Sequence, residues 1–356
     1  DNLSINYDNF TQVGAQARET IGKAVDGYFR PSVFAQFAQD GDGCISVTTF
    51  TDYLRARSHM HGLRLQLSAL DVGDTGVLTG AQLEEFLRQS AMEMPALAEI
   101  ETSFLSDYSR IAVRKFLFFH GKNGGVRIRD LLNTPFMQDL MDLRSPELAD
   151  PFNSPSLMAN WFSLQSTRRV YNTFLVLDED SNGWLSKAEF GQISNGSMSP
   201  LFIQRIFEEH VMKQRGPLSR GARDDNGPKR KDEMDLVAFT DFVLAWDHRS
   251  HPAAIKYFYP IMDLQNKGVL TPADLYTFFR EIHGMWVRMG EYADLSIHDV
   301  VDELIDMVKP ARPPLITAED LARCGQSGVF FSCLSDVKQF YEYNFRENNM
   351  HQDESS

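Results

Sequence analysis

"LDEDSNGWLSKAEF", residues 177–190, is the stretch on which the reading of the whole chain turns. A calcium loop of the helix-loop-helix type places oxygen ligands at positions 1, 3, 5, 7, 9 and 12, with Gly at 6 for the sharp turn and a bidentate Glu at 12. Here those positions are Asp178, Asp180, Asn182, the Trp184 carbonyl, Ser186 and Glu189, and Gly183 stands at the turn. The flanks agree. Val170, Phe174 and Leu177 recur at helical spacing before the loop, and Phe190 with Ile193 shares a face of an exiting helix after it. Leu185, at the eighth position, is the apolar residue expected to pair with a partner loop through a short β-bridge. A plainer reading takes "SKAE" as a capping box alone, with Ser186 as N-cap and Glu189 three residues on. The complete ligand set in register favours calcium.

If the ninth position of such a loop is also the N-cap of the helix that follows, a loop that has lost its ligands keeps the turn Gly, the apolar eighth position and the cap. Several segments do. "AQDGDGCISVTTF" (38–50) has Asp40, Asp42, Gly43, Ile45 and Ser46, but Ala38 and Thr49 replace the first and last ligands. "DVGDTGVLTGAQL" (71–83) has Asp71, Gly76, Leu78 and Thr79, with Gly73, Thr75 and Gln82 in ligand places. "DLQNKGVLTPADL" (263–275) is a second, weaker calcium candidate through Asp263, Gln265 and Asp274, with Lys267 putting an ammonium among the ligands and Thr271-Pro272 starting a helix. "EMDLVAFTDFVLAW" (233–246) and "PPLITAEDL" (313–321) keep only the bridge residue, Met234 or Ile316, and the helix start. Pairing in chain order predicts Ile45 with Leu78, Leu185 with Met234 and Leu270 with Ile316. The Gly turn in "FHGKNGGVRIRDLL" (119–132) is left as an unpaired relic.

The expected fold is therefore mainly α, built of tandem EF-hand pairs, most of them degenerate, in two or three lobes. Residues 1–143 form an N-terminal lobe with a degenerate pair, and the Pro/Ser-rich 144–156 a linker. Residues 157–250 carry the pair with the complete loop at 178–189 and a basic, Gly/Pro-broken insertion at 212–232. A degenerate C-terminal pair spans 251–345, and 346–356 is a polar tail.

With 356 residues the chain can bury a large core, and 43% hydrophobic against 24% charged residues is ordinary for a globular protein. Thirty-five basic against 49 acidic side chains leave a net charge of −14, which argues against general affinity for nucleic acid or anionic membranes. No apolar run is long enough to span a bilayer, and residue 1 does not begin a signal peptide; because it is Asp rather than Met, preceding residues stay open. Cys44, Cys324 and Cys333 lack metal-ligand spacing and read as reduced, mostly buried thiols of a cytosolic or nuclear protein. There is no phosphate-binding loop, zinc-protease motif, nucleophile elbow or dinucleotide fingerprint, and the nine His are scattered, with His59 and His61 the one close pair. A catalytic constellation is not found.

Taken in order, "INYDNFTQVGAQAR", "AVRKFLFF", "NWFSLQSTRRVYNTFLVLDEDSNGWLSKAEF", "MDLVAFTDFVLAWDHR", "MDLQNKGVLT" and "DMVKPARPPLITAEDL" resemble the B″-type regulatory subunits of protein phosphatase 2A over nearly the whole chain. The closer likeness is to their short branch, which includes the plant FASS/TONNEAU proteins. The resemblance implies a non-catalytic subunit that docks on a HEAT-repeat scaffold subunit and the catalytic subunit and selects substrate and location. It also implies association with microtubule arrays, centrosomes, basal bodies or axonemes in the cytoplasm, while the basic 212–232 insertion is compatible with nuclear import. Longer members carry a second complete loop in the region matching 263–274, where Lys267 stands here. Two other functions are compatible with the same residues: a stand-alone calcium sensor, which needs paired sites and an exposable apolar groove, and a cytoskeletal adaptor without phosphatase partners.

Overall fold

The computed structural model describes residues 3–144, 159–213, 232–290 and 295–346, without the side chains of Ala56 and His59. The 144–156 linker beyond Arg144, the 212–232 insertion apart from 212–213 and 232, and the 346–356 tail beyond Arg346 lie outside the described residues, as does one half of the His59–His61 pair. The architecture is mainly α, helices joined by short loops and very short strands. No described helix is long and apolar enough to cross a membrane. The chain divides into two compact units, 1–78 with 127–133, and 79–126 with 134–356.

Helix starts follow the cap residues. The side chains of Ser46, Thr79, Ser186, Asp235, Thr271 and Thr317 each accept from a backbone N–H three residues on, satisfying a donor that the helix itself leaves free. At Thr79, Ser186, Thr271 and Thr317 the reciprocal bond is present as well, closing a capping box with Gln82, Glu189, Asp274 and Asp320.

In the first unit, Ser4–Ile5 pairs antiparallel with Ile45–Ser46, placing Ile5 opposite Ile45. The expected Ile45–Leu78 pair is therefore not formed. Val47–Leu70 is a single helix of 24 residues, so Ile45 and the 71–79 loop stand at opposite ends of a rod of about 36 Å. Ile5 is brought to Ile45 by its own helix, Tyr7–Ile21, whose Phe10 is fully buried with Phe29, Phe34 and Phe50 at ring distances of 5.2, 5.1 and 5.0 Å. Gly14 lies so close to Phe29 that a methyl group there would meet its Cβ at 2.7 Å. The 71–79 loop instead takes the segment read as a relic, the Gly76 carbonyl accepting from the Ile128 N–H at 3.0 Å.

In the second unit, Leu105–His120 is the central helix, flanked by Gly80–Ala91, Leu164–Leu177 and Leu236–Asp247. Its Tyr108 hydroxyl donates to the Phe162 carbonyl at 2.9 Å in full burial. Its Arg114 makes a two-pronged bond to Asp241, at 2.7 and 2.6 Å. Burial raises the Asp241 pKa, and Arg114 pulls it back down. Leu185 and Met234 exchange backbone hydrogen bonds of 2.8 Å in both directions, and Leu270 and Ile316 exchange bonds of 2.8 and 3.0 Å. Arg205 ties the two hand pairs together, donating to the Pro260 and Ile261 carbonyls at 2.9 and 3.1 Å, where the Pro252–Met262 helix ends and its last carbonyls have no helical partner. The C-terminal helices are stitched to the same region: Ser199 N–H donates to Ser335, and Val337 N–H to Ser197.

Two further expectations are corrected. The helix leaving the 178–189 loop does not reach Ile193; it is the single turn Lys187–Phe190, and Ser194, Asn195 and Gly196 then turn left-handed, at φ 54, 57 and 71°, before Pro200–Ile206 starts from the Ser199 cap. Among the three thiols, Cys333 is buried and its pKa is pushed up to about 12 by burial, whereas Cys44 and Cys324 are half-buried.

This packing sets two expectations for stability. Arg114→Met leaves the Asp241 carboxylate buried without its partner and should lower stability by ~3 kcal/mol in urea denaturation, while adding Asp241→Leu should restore most of the loss; a loss under ~1 kcal/mol would contradict the assignment. His210 stacks on Tyr257 at 3.7 Å and donates from Nε2 to the Tyr257 carbonyl at 2.8 Å; burial lowers its pKa from 6.5 to about 4, with the Tyr257 carbonyl and Glu209 opposing the shift. Below pH 6.5 the unfolded chain takes up a proton that the folded chain refuses, so stability is full above 6.5 and falls by up to ~3 kcal/mol towards pH 4. His210→Gln should flatten this part of the stability profile relative to the parent chain.

Candidate metal centre

The 178–189 loop is shaped by its first residue. Asp178, 5% exposed, accepts from the Asn182 N–H at 3.0 Å on Oδ1 and from the Gly183 N–H at 2.8 Å on Oδ2. These bonds draw the backbone into a tight ring, with Ser181 and Gly183 left-handed at φ 55 and 80°. Gly supplies the second of these angles without strain. Asp180 accepts from the Asn182 N–H at 3.1 Å and from its amide at 2.7 Å, and the Asn182 amide oxygen accepts from the Trp184 N–H at 2.8 Å. Glu189 closes the ring: its carboxylate accepts from the Ser186 N–H at 2.8 Å and from the Glu179 N–H at 3.1 Å. Bonds from Ser186 hold the Glu189 pKa below its usual value, so it is a carboxylate at neutral pH.

Oxygens of Asp178, Asp180 and Glu189 lie within 4.8 Å of one another, a group of three acids that could hold a metal ion. The donor set fits a hard, oxygen-seeking cation. Three carboxylates converge, and neither Cys nor His belongs to the group.

The weaker candidate has the same backbone with fewer donors. Asp263 accepts from the Lys267 and Gly268 N–H groups at 3.0 and 2.7 Å, and Asn266 and Gly268 are left-handed at φ 51 and 73°. Asp274, 3% exposed, is taken up by Thr271, whose N–H and hydroxyl donate to one of its oxygens at 2.9 and 2.6 Å. Gln265 is exposed, and among the described residues Asp263 and Asp274 belong to no group of three metal-ligating acids. The 71–79 loop repeats the motif, Asp71 accepting from the Gly76 N–H at 2.6 Å and from the Thr75 hydroxyl at 3.0 Å. Sequence reasoning located these loops but missed the bond from the Glu179 N–H to Glu189, a backbone contact that carries no residue signature.

Comparison with known proteins agrees with this architecture. The chain is 35% identical over 346 residues to TON2 of Arabidopsis thaliana, a probable B″-type regulatory subunit of phosphatase 2A, covering 97% of this chain and 70% of the relative. It is 36% identical over 346 residues to the human gamma form of the B″ regulatory subunits of phosphatase 2A, covering 96% and 71%. It is 24% identical over 246 residues to the human alpha form, covering 68% of this chain and 20% of that one. A solved chain described as a "PP2A PR70 Holoenzyme", and marked "diCa", shares the fold at a TM-score of 0.63 and 21% identity, covering 78% of this chain and 96% of its own. No protein-family model matches the chain. The likeness to the B″ subunits over almost all of its length is accompanied by the expected mainly α fold, and the chain belongs to the B″ family of protein phosphatase 2A regulatory subunits, which are non-catalytic.

Proposed function

We propose that this chain is a targeting subunit that docks on the scaffold and catalytic subunits of protein phosphatase 2A and directs dephosphorylation at microtubule-based structures. The observation that carries the assembly reading is identity of 35–36% to B″ subunits over about 96% of the chain. The microtubule location rests on the resemblance to the TONNEAU branch.

We further propose that Asp178, Asp180, Asn182, Ser186 and Glu189, with the Trp184 carbonyl, hold one calcium ion. Calcium supplies positive charge that draws three carboxylates together and fixes the loop between two helices. Its role here is that of a brace. The partner loop, joined through Met234, carries Ala238 where a last ligand would stand, so the pair lacks the second site that a cooperative sensor needs. Leu185 and Met234 are fully buried in the bridge, which makes the loop part of the core of its pair.

The test is co-migration of the chain with purified scaffold and catalytic subunits on a sizing column, in calcium and in chelator. A ternary complex in calcium is expected, and Glu189→Gln should weaken metal binding and assembly together. Assembly by a Glu189→Gln chain that holds no metal would overturn the brace. Absence of a complex in both conditions would overturn the phosphatase reading in favour of a phosphatase-independent adaptor.

A further inference from the structure

Behind the 178–189 loop lies a groove of about 850 Å³. One wall is the turn that carries Glu189, another is the end of the Pro272–Arg288 helix, and the stitched segments around Ser197 and Val337 complete it. Ile203, Met285 and Met289 give it an apolar lining, with Met289 50% exposed. Its rim carries the exposed cations Lys187, Arg288 and Lys338, and among the described residues no Asp or Glu lines it. Glu208, the carboxylate that lies near Lys187, is engaged by Gln204 and Arg205 at 2.7 and 2.8 Å.

On a chain with a net charge of −14, an apolar groove whose charged lining among the described residues is all cationic is a local reversal of sign. We infer that this groove docks a partner-protein segment in which acidic side chains are interspersed with apolar ones. Methionine side chains adapt to varied apolar shapes, and the rim cations supply the attraction for the acids. The net charge also selects among occupants. A second copy of the chain or an anionic membrane would bring a large negative charge against a strongly negative molecule, whereas a short segment meets only the local field. This inference does not rest on phosphatase assembly and extends to the chemistry of what the chain selects.

The test is selection from a random-peptide display library on the full chain, with counter-selection on an Arg288→Glu, Lys338→Glu, Met289→Asp variant. These positions are exposed, but Lys338 donates to the Ser194 carbonyl at 3.2 Å and Arg288 and Met289 end a helix, so the variant is compared with the parent only at a temperature where both are shown folded by their thermal midpoints. Recovered peptides should be enriched in Asp or Glu together with Leu, Ile, Phe or Met, and should bind the variant about tenfold or more weakly, with affinity falling as salt rises. Peptides without acidic enrichment, or equal binding to the variant, would overturn the inference. A concentration-dependent dimer dissolved by the same substitutions would assign the groove to a second copy instead. Variant-sensitive binding to phosphatidylserine vesicles without peptide enrichment would assign it to a membrane.

Discussion

An aspartate carboxylate that accepts backbone N–H groups of its own loop is the constraint on which this structure depends. It recurs at Asp71, Asp178 and Asp263, where one oxygen takes the N–H of a left-handed Gly five residues on, at 2.6, 2.8 and 2.7 Å. The bond turns the chain sharply and delivers the next residues to a short bridge and a capped helix. It needs no metal. Loops that have lost their other ligands therefore keep their shape, and an array of hands persists with one full ligand set among the described loops. Asp178 and Asp263 are buried, where an uncompensated carboxylate would be costly, and the donated N–H groups offset that cost.

The two loops differ in where their last carboxylate goes. At 263–274 the last carboxylate is spent on Thr271, whose N–H and hydroxyl both donate to it, and the middle ligand positions are exposed or cationic. At 178–189 the corresponding Glu189 bonds its cap yet still converges with Asp178 and Asp180. Glu is one methylene longer than Asp, enough to serve both the cap and the loop centre. From this loop the packing spreads outward through the Leu185–Met234 bridge, then through Arg205 to the second pair, and through Ser197–Ser199 to the C-terminal helices.

Much of this was legible in the sequence because it is local. The turn Gly, the apolar eighth position and the cap are dictated by backbone geometry within a dozen residues, so Ser46, Thr79, Ser186, Thr271 and Thr317 were read correctly as caps, and the Leu185–Met234 and Leu270–Ile316 bridges as pairs. Pairing failed at Ile45, where a 24-residue helix separates neighbouring loops and the chain start supplies Ile5 instead. The short exit after Glu189 is encoded in "ISNGSMSP", where Asn-Gly and Ser-Pro break a helix, a signal that the face shared by Phe190 and Ile193 does not carry. Long-range contacts left no trace: Arg114 and Asp241 are 127 residues apart, and the groove cations come from three distant segments.

The central claim is that, of several loops with one backbone, a single one takes a cation. Terbium luminescence excited through tryptophan tests it most directly, because Trp184 lies within the loop and its carbonyl belongs to the proposed ligand set. The account predicts sensitised emission saturating at one terbium per chain, displaced by calcium, lost in Asp178→Ala and strongly reduced in Trp184→Phe. Emission that survives Asp178→Ala, or a calcium-displaceable stoichiometry of two, would place a cation in another loop and contradict it.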